Sequence, residues 1–155
     1  MGFKLIAIGD KMPAWVNAGF KEYQKRLAPP YELQLVEIPL SKHQRPHNIT
    51  AAREKEALRM LAQIPKQSYC IALEAAPQQF DTPSLADKIP TWLDYAHDIT
   101  LLIGGPEGLH PNCLKRANST WSLSRLTFAH PLVRVIVAEQ LYRAVSIILH
   151  HPYHK

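Results

Sequence analysis

The chain has 155 residues, 46% of them hydrophobic and 20% charged, with a formal net charge of +5. That size and mixture suit one globular domain with a real core and argue against a disordered chain. No apolar run is long enough to span a bilayer, and the N-terminal run ends at Ile8, too short for a secretory leader.

Phe3–Ile8 reads as a first strand ending at Gly9. Pro13 fits the first turn of a helix, which carries Trp15, Val16, Phe20 and Tyr23 at helical spacing to Leu27 and stops at Pro29-Pro30. Tyr31–Ile38 alternates and reads as the second strand. A polar loop over 39–48 leads into a helix over Thr50–Ile64. Ser68–Leu73 is a continuous apolar strand, the pattern of a strand covered on both faces. Asp81-Thr82-Pro83 opens another helix in cap order, and Pro90 predicts a kink or a restart before Trp92. Ile99–Ile103 is the next buried strand. His110-Pro111 opens a short helix through Leu114 and Ala117, Trp121–Ser124 is a short strand-like piece, and 125–129 is a loop. His130-Pro131 opens the last helix, which reaches about His150, with His130 expected in its cap. Alternating strands and helices predict an α/β domain around a mainly parallel sheet, one domain over residues 1–155.

Four features carry functional information. Three of the six glycines lie between 104 and 108, where the Ile99–Ile103 strand breaks into Gly-Gly-Pro-Glu-Gly. Past the carboxyl end of a parallel strand this reads either as a ligand-facing turn or as a plain strand-to-helix turn. All the excess positive charge lies early: residues 1–66 hold 11 Lys and Arg against 6 Asp and Glu, and residues 67–155 hold 7 of each. Lys42, His43, Arg45 and His47 make a basic loop, with Arg53, Lys55 and Arg59 on the following helix. This is either a face for a polyanion, RNA first, or a solvated surface. The last helix is apolar almost all round, so one side is expected on the sheet and another on a second subunit, giving a homodimer through the C-terminal helix. Arg134, Glu139, Gln140 and Arg143 exclude it as a membrane span. The two cysteines, Cys70 and Cys113, are expected as reduced core thiols of a cytoplasmic protein. His150, His151 and His154 lack the spacing of a metal cage, so no metal is expected.

Several segments together resemble one family. They are Lys11-Met12-Pro13-Ala14-Trp15, Leu102 to Gly108, Trp121-Ser122-Leu123-Ser124, Leu126 to Arg134, Glu139 to Ala144 and the ending Tyr153-His154-Lys155. The chain is similar, end to end, to the ribosomal large-subunit methyltransferase H family of the SPOUT superfamily. The resemblance implies a SPOUT-type α/β fold with a C-terminal trefoil knot, a homodimer, and S-adenosyl-L-methionine as cofactor. The implied reaction is methylation of N3 of a pseudouridine in helix 69 of 23S rRNA on the assembled 70S ribosome. Carried over by position, the cofactor site is Leu73, Gly104, Gly105, Leu123, Ser124, Arg125, Leu126, Thr127 and Phe128. Such a site suits adenine, which is flat and apolar with hydrogen-bonding edges. Without the resemblance, Leu73, Leu123 and Leu126 read as ordinary core. His154, Arg143 and Tyr153 are the candidates for catalysis: His154 as a base or a frayed tail residue, Tyr153 as a stacking ring, and Arg143 as a partner for phosphate, for ring oxygens or for Glu139.

Overall fold

The structure is a computed structural model that describes residues 2–42 and 45–155. Five strands form one sheet: β1 (Gly2–Ile8), β2 (Leu33–Ile38), β3 (Tyr69–Leu73), β4 (Asp98–Ile103) and β5 (Ser119–Trp121). All pairings are parallel and the order is β2-β1-β4-β3-β5. The helices are α1 (Ala14–Gln24), α2 (Ile49–Gln63), α3 (Thr82–Ala96), α4 (Pro111–Arg116) and α5 (His130–Ile148). A 3₁₀ turn, Pro152–His154, ends the chain.

The period of two along each strand builds two cores. Phe3, Leu5, Ala7, Ile71, Ile99, Leu101 and Ile103 face the layer of α1, α3 and α5. Ile6, Ile8, Cys70, Ala72 and Leu102 face α2 and α4. Thr100 is the polar exception in the middle of the sheet, and its hydroxyl shares a 2.5 Å hydrogen bond with that of Ser68. Both cysteines lie in the second core, and burial raises each thiol pKa to about 11.

Local chemistry sets the helix ends. Asn48 caps α2 by accepting from the Ala51 N–H, and Asp81 caps α3 by accepting from the Ser84 N–H. α1 ends at Gln24, three residues before Leu27, where tighter turns from Tyr23 and Gln24 carry Leu27 into the core. α3 runs through Pro90 with no restart. Ile89, Trp92 and Leu93 are all buried, and their packing holds the helix across the missing N–H. β5 lies earlier than the sequence predicts. Ser119–Trp121 pairs with β3, and Ser122 makes only an isolated bridge to Gln79.

α5 lies between α1 and α3, touches β4, and is covered at its far end by the 3₁₀ turn. Its own chain therefore covers more of its girth than its all-round apolarity predicts. Val137, Ala138, Leu141, Ala144 and Val145 are buried, and Leu132 and Leu149 stay exposed.

Candidate functional site: a loop pocket and a C-terminal cluster

Three loops meet past the carboxyl ends of β3, β4 and β5 and enclose a cavity of about 810 Å³. That volume lies in the range of small-molecule sites, roughly 300–1,000 Å³. All nine residues predicted for the cofactor line it. The loops after β3 and β5 are tied to each other through the main chain. The Glu74 N–H donates to the Trp121 carbonyl at 3.3 Å, and the Ser122 N–H donates to that of Gln78 at 2.9 Å. Within the third loop the Ser122 hydroxyl donates to the Ser124 carbonyl, and the Ser124 hydroxyl accepts from the Leu126 N–H. Gly104 is required sterically, because a Cβ there would sit 2.5 Å from the Gly108 carbonyl carbon. Leu73 and Leu123 are half-buried and Leu126 is 72% exposed. Leu73 and Leu123 pack against the edge of the first core, as the residues alone suggest, and Leu126 lies outside it.

The walls fit an adenosyl group. Leu73, Leu123, Phe128 and Val133 supply apolar surface, and the loop backbones supply donors and acceptors. Glu74, His130 and Val133 also line the cavity. The sequence expects His130 in the helix cap, and the structure corrects this. Ala129 holds the N-cap position without any side-chain capping bond, and the imidazole borders the pocket. Burial, and then the nearby Arg134 charge, pulls the His130 pKa below its ordinary value, which favours the neutral ring.

Arg134 is the residue whose role sequence reasoning missed. Its side chain is 1% exposed, pairs with Glu37 at 2.6 Å, and donates to the Gly9 carbonyl at 2.7 Å. It thus pins the start of α5 to the loop after β1 and to β2. The chain leaves β1 toward one edge of the sheet and β4 toward the other, so β1 and β4 flank a switch point where α/β proteins place ligands. Here Arg134 on Gly9, and Gly105 against Ile8, close that gap. The pocket lies one strand further along. The available signal was a single arginine within the apolar first half of the last helix.

The catalytic candidates cluster at the other end of α5. Arg143 pairs with Glu139 at 2.7 Å, one of the partners its i,i+4 spacing offers. The Tyr153 hydroxyl donates to the same Glu139 oxygen at 3.1 Å, and the Tyr153 ring lies 4.5 Å from that of Tyr142. The Arg143 guanidinium covers the Tyr153 ring at 4.9 Å. Burial, then the Glu139 charge, pushes the Tyr153 phenol up to about 12, so it remains a donor. The tail is folded back on α5, with the His151 ring accepting from the Tyr153 N–H. His154 Nδ1 is buried without a hydrogen-bond partner among the described residues. The two ends stand apart: 13 residues separate His130 from Arg143, about 20 Å at 1.5 Å per residue. None of His154, Arg143 and Tyr153 lines its own chain's pocket. Within one chain the catalytic candidates therefore do not sit beside the cofactor candidates.

The basic loop also needs correction. Arg45 is not a free cation, since it is paired with Glu56 and Glu107. Lys42 and His47 are exposed, and His43 lies outside the described residues.

The sheet is parallel and five-stranded, with helices on both faces, and three loops line one pocket at its carboxyl end. The model of the family described as "Predicted SPOUT methyltransferase" matches residues 1–154. Two solved structures share the fold at a TM-score of 0.56. One is a probable methylase family protein from Haemophilus influenzae Rd KW20, at 12% identity over 99% of this chain and 70% of that one. The other is a probable methyltransferase from Bordetella pertussis Tohama I, at 16% identity over 92% of this chain and 95% of that one. The chain is also 48% identical, over the full length of both, to the ribosomal RNA large subunit methyltransferase H of Marinomonas sp. strain MWYL1. It belongs to the SPOUT methyltransferases and, within them, to the family of ribosomal RNA large subunit methyltransferase H. It is a methyltransferase.

Proposed function

We propose that the chain binds S-adenosyl-L-methionine in the three-loop pocket and methylates N3 of a pseudouridine in helix 69 of 23S rRNA. It acts on the assembled 70S ribosome in the cytoplasm, as a homodimer. The observation that carries this reading is the convergence of all nine expected cofactor residues on one cavity. Family membership supplies the reaction type, and the name of the Marinomonas relative supplies the substrate class. The knot of the family is part of the proposal. Its support is that the loop after β5 is bonded to the loop after β3 while sharing a cavity with the turn after β4.

The bound cofactor supplies an electrophilic methyl group. The protein has to align N3 with it and ease the loss of the N3 proton. A uracil-type N–H titrates about 2 units above neutrality, so forming the anion costs about 3 kcal/mol. Arg143, with one edge held by Glu139, offers positive charge to that anion, and Tyr153 offers a ring and a hydroxyl donor. His154, at the same end, is the base that takes the proton. Since these groups sit about 20 Å along α5 from their own pocket, they serve the pocket of a second copy. Leu132 on α5 and Leu149 just past its end, both exposed, belong to the surface that meets that copy.

The test is methylation of 70S ribosomes from a strain lacking the gene, with the modified nucleotide mapped by mass spectrometry. The expected product is one methyl group on the helix 69 pseudouridine, with little modification of naked rRNA. Equal rates on naked rRNA would reject the requirement for an assembled ribosome, and a methyl group on another nucleotide would reject the substrate.

A further inference from the structure

Arg45 stands behind the glycine turn. It rises from the loop of residues 39–48 and reaches carboxylates on two other elements. Nη1 and Nη2 contact Glu56 of α2 at 2.5 and 3.1 Å, and Nε and Nη2 contact Glu107 of the turn at 2.9 and 2.6 Å. Both carboxylates are thus held by the planar fork that only arginine provides. Glu56 also accepts the Ser41 N–H at 2.7 Å. The arginine side chain is 15% exposed and that of Glu56 5%, so water competes little for these bonds.

One carboxylate would neutralise Arg45, and Glu56 already does so from a fifteen-residue helix. The second carboxylate belongs to the turn itself, whose other ties are the Gly105–Gly108 bridge and the buried Leu109 at its end. Gly104, Gly105 and Gly108 have no side chains, and Pro106 is exposed. The same loop touches the turn a second time: a Cβ on Gly105 would lie 3.6 Å from Leu40 Cδ1 and 3.0 Å from Ile8 Cγ2. Gly104 and Gly105 line the cavity on the opposite side. The guanidinium also holds the Glu107 carboxyl below its ordinary pKa, so the anchor stays charged at neutral pH.

We infer that Arg45 is a positioning residue for the methyl-donor turn: it fastens Glu107 to Glu56 on α2 and thereby holds Gly104 and Gly105 in the geometry that the pocket needs. This rests on reading the pocket as the S-adenosyl-L-methionine site. It also moves part of the basic loop from the RNA-facing surface to the back wall of that site.

The test is calorimetric titration of S-adenosyl-L-methionine into the full chain as wild type, Arg45→Met, Glu107→Gln and the double variant, with thermal melts of each. Losing the charged hydrogen bonds is expected to raise Kd about tenfold in each single variant. The double variant is expected within about twofold of the weaker single, because both changes break one tether. Arg45→Lys, able to satisfy one carboxylate as a point charge, is expected to fall between Arg45→Met and wild type. Lowered melting temperatures with unchanged Kd would make Arg45 merely structural and overturn the inference. Singles whose effects multiply in the double variant would overturn it too. If Arg45→Met does not fold, Glu107→Gln alone decides, since it keeps the Arg45–Glu56 pair. No binding by wild type would reject the pocket reading and the inference with it, whereas binding by wild type and Glu107→Gln alike would reject the inference alone.

Discussion

The two ends of α5 solve different problems. Its first turn borders a pocket made mainly of backbone and apolar walls, where fit depends on glycines and on main-chain bonds between loops. Its last turns carry a cluster of side chains, Glu139, Arg143, Tyr142 and Tyr153, braced by Arg26 of the chain just past α1 at 5.5 Å from the Tyr142 ring. A backbone-built pocket tolerates changes of side chain but not of loop path. A cluster built from side chains tolerates neither the loss of one charge nor that of one ring. Under the proposed function, one end holds the cofactor and the other acts on the substrate.

Removing residues 152–155 should affect only the second end. The single-turnover rate on saturating ribosomes is expected to fall about 100-fold or more, the range for loss of general base and electrostatic groups, with cofactor affinity nearly unchanged. A parallel loss of affinity in titration would mean that the two ends are not separable. Mixing variants sharpens the same contrast. Gly104→Ala forces a Cβ against Gly108 and should abolish the pocket, and Arg143→Ala should abolish the cluster. Each variant alone should be inactive. Coexpressed, they should regain about a quarter of wild-type activity if half the dimers are mixed and each has one complete site. A mixture as inactive as its parents would show that each chain uses its own tail.

A third measurement probes the brace under the pocket end. Glu37→Ala leaves the Arg134 guanidinium buried without its counter-charge and is expected to cost about 3 kcal/mol in denaturant unfolding at fixed protein concentration. Adding Arg134→Met should recover part of that loss, because the buried charge is gone. A double variant less stable than Glu37→Ala would refute this account. The smallest effect expected is at acid pH. The Glu107 carboxyl is depressed mainly by its bonds to Arg45, so its contribution to stability is complete above the carboxylate range of the unfolded chain and is lost as pH falls through its lower folded value. Glu107→Gln should therefore flatten the acid limb of the stability profile, which thermal melts between about pH 3 and 6, spanning the ordinary carboxylate range, would show.

The sequence made the layered α/β fold legible because the strands that matter most are continuous apolar runs. Ile99–Ile103 and Ser68–Leu73 announce burial on both faces, and they occupy the middle of the sheet beside β1. β5 was displaced because Ser119 and Thr120 carry no apolar signal, and they pair through β3 and not through their own pattern. The glycine turn alone left a ligand-facing turn and a plain strand-to-helix turn both open, whereas the third loop, 122–129, has no periodicity and was legible only through the family resemblance. Arg134 and Arg45 lay beyond reach for a common reason. Arg134 is defined by partners 97 and 125 residues away and Arg45 by partners 11 and 62 residues away, and charge counting along a chain does not show which cations are already paired.

Cys70 and Cys113 offer a practical opening. A thiol reacts as thiolate, and two sealed side chains with pKa raised to about 11 are inert to maleimides and methanethiosulfonates at neutral pH. The native chain is therefore already a silent background for site-directed labelling. Lys155→Cys would introduce the single reactive sulfur at the end of the tail. A paramagnetic or fluorescent probe there would report, in the otherwise unaltered enzyme, whether two tails approach each other as the proposed dimer requires and whether adding 70S ribosomes changes that distance.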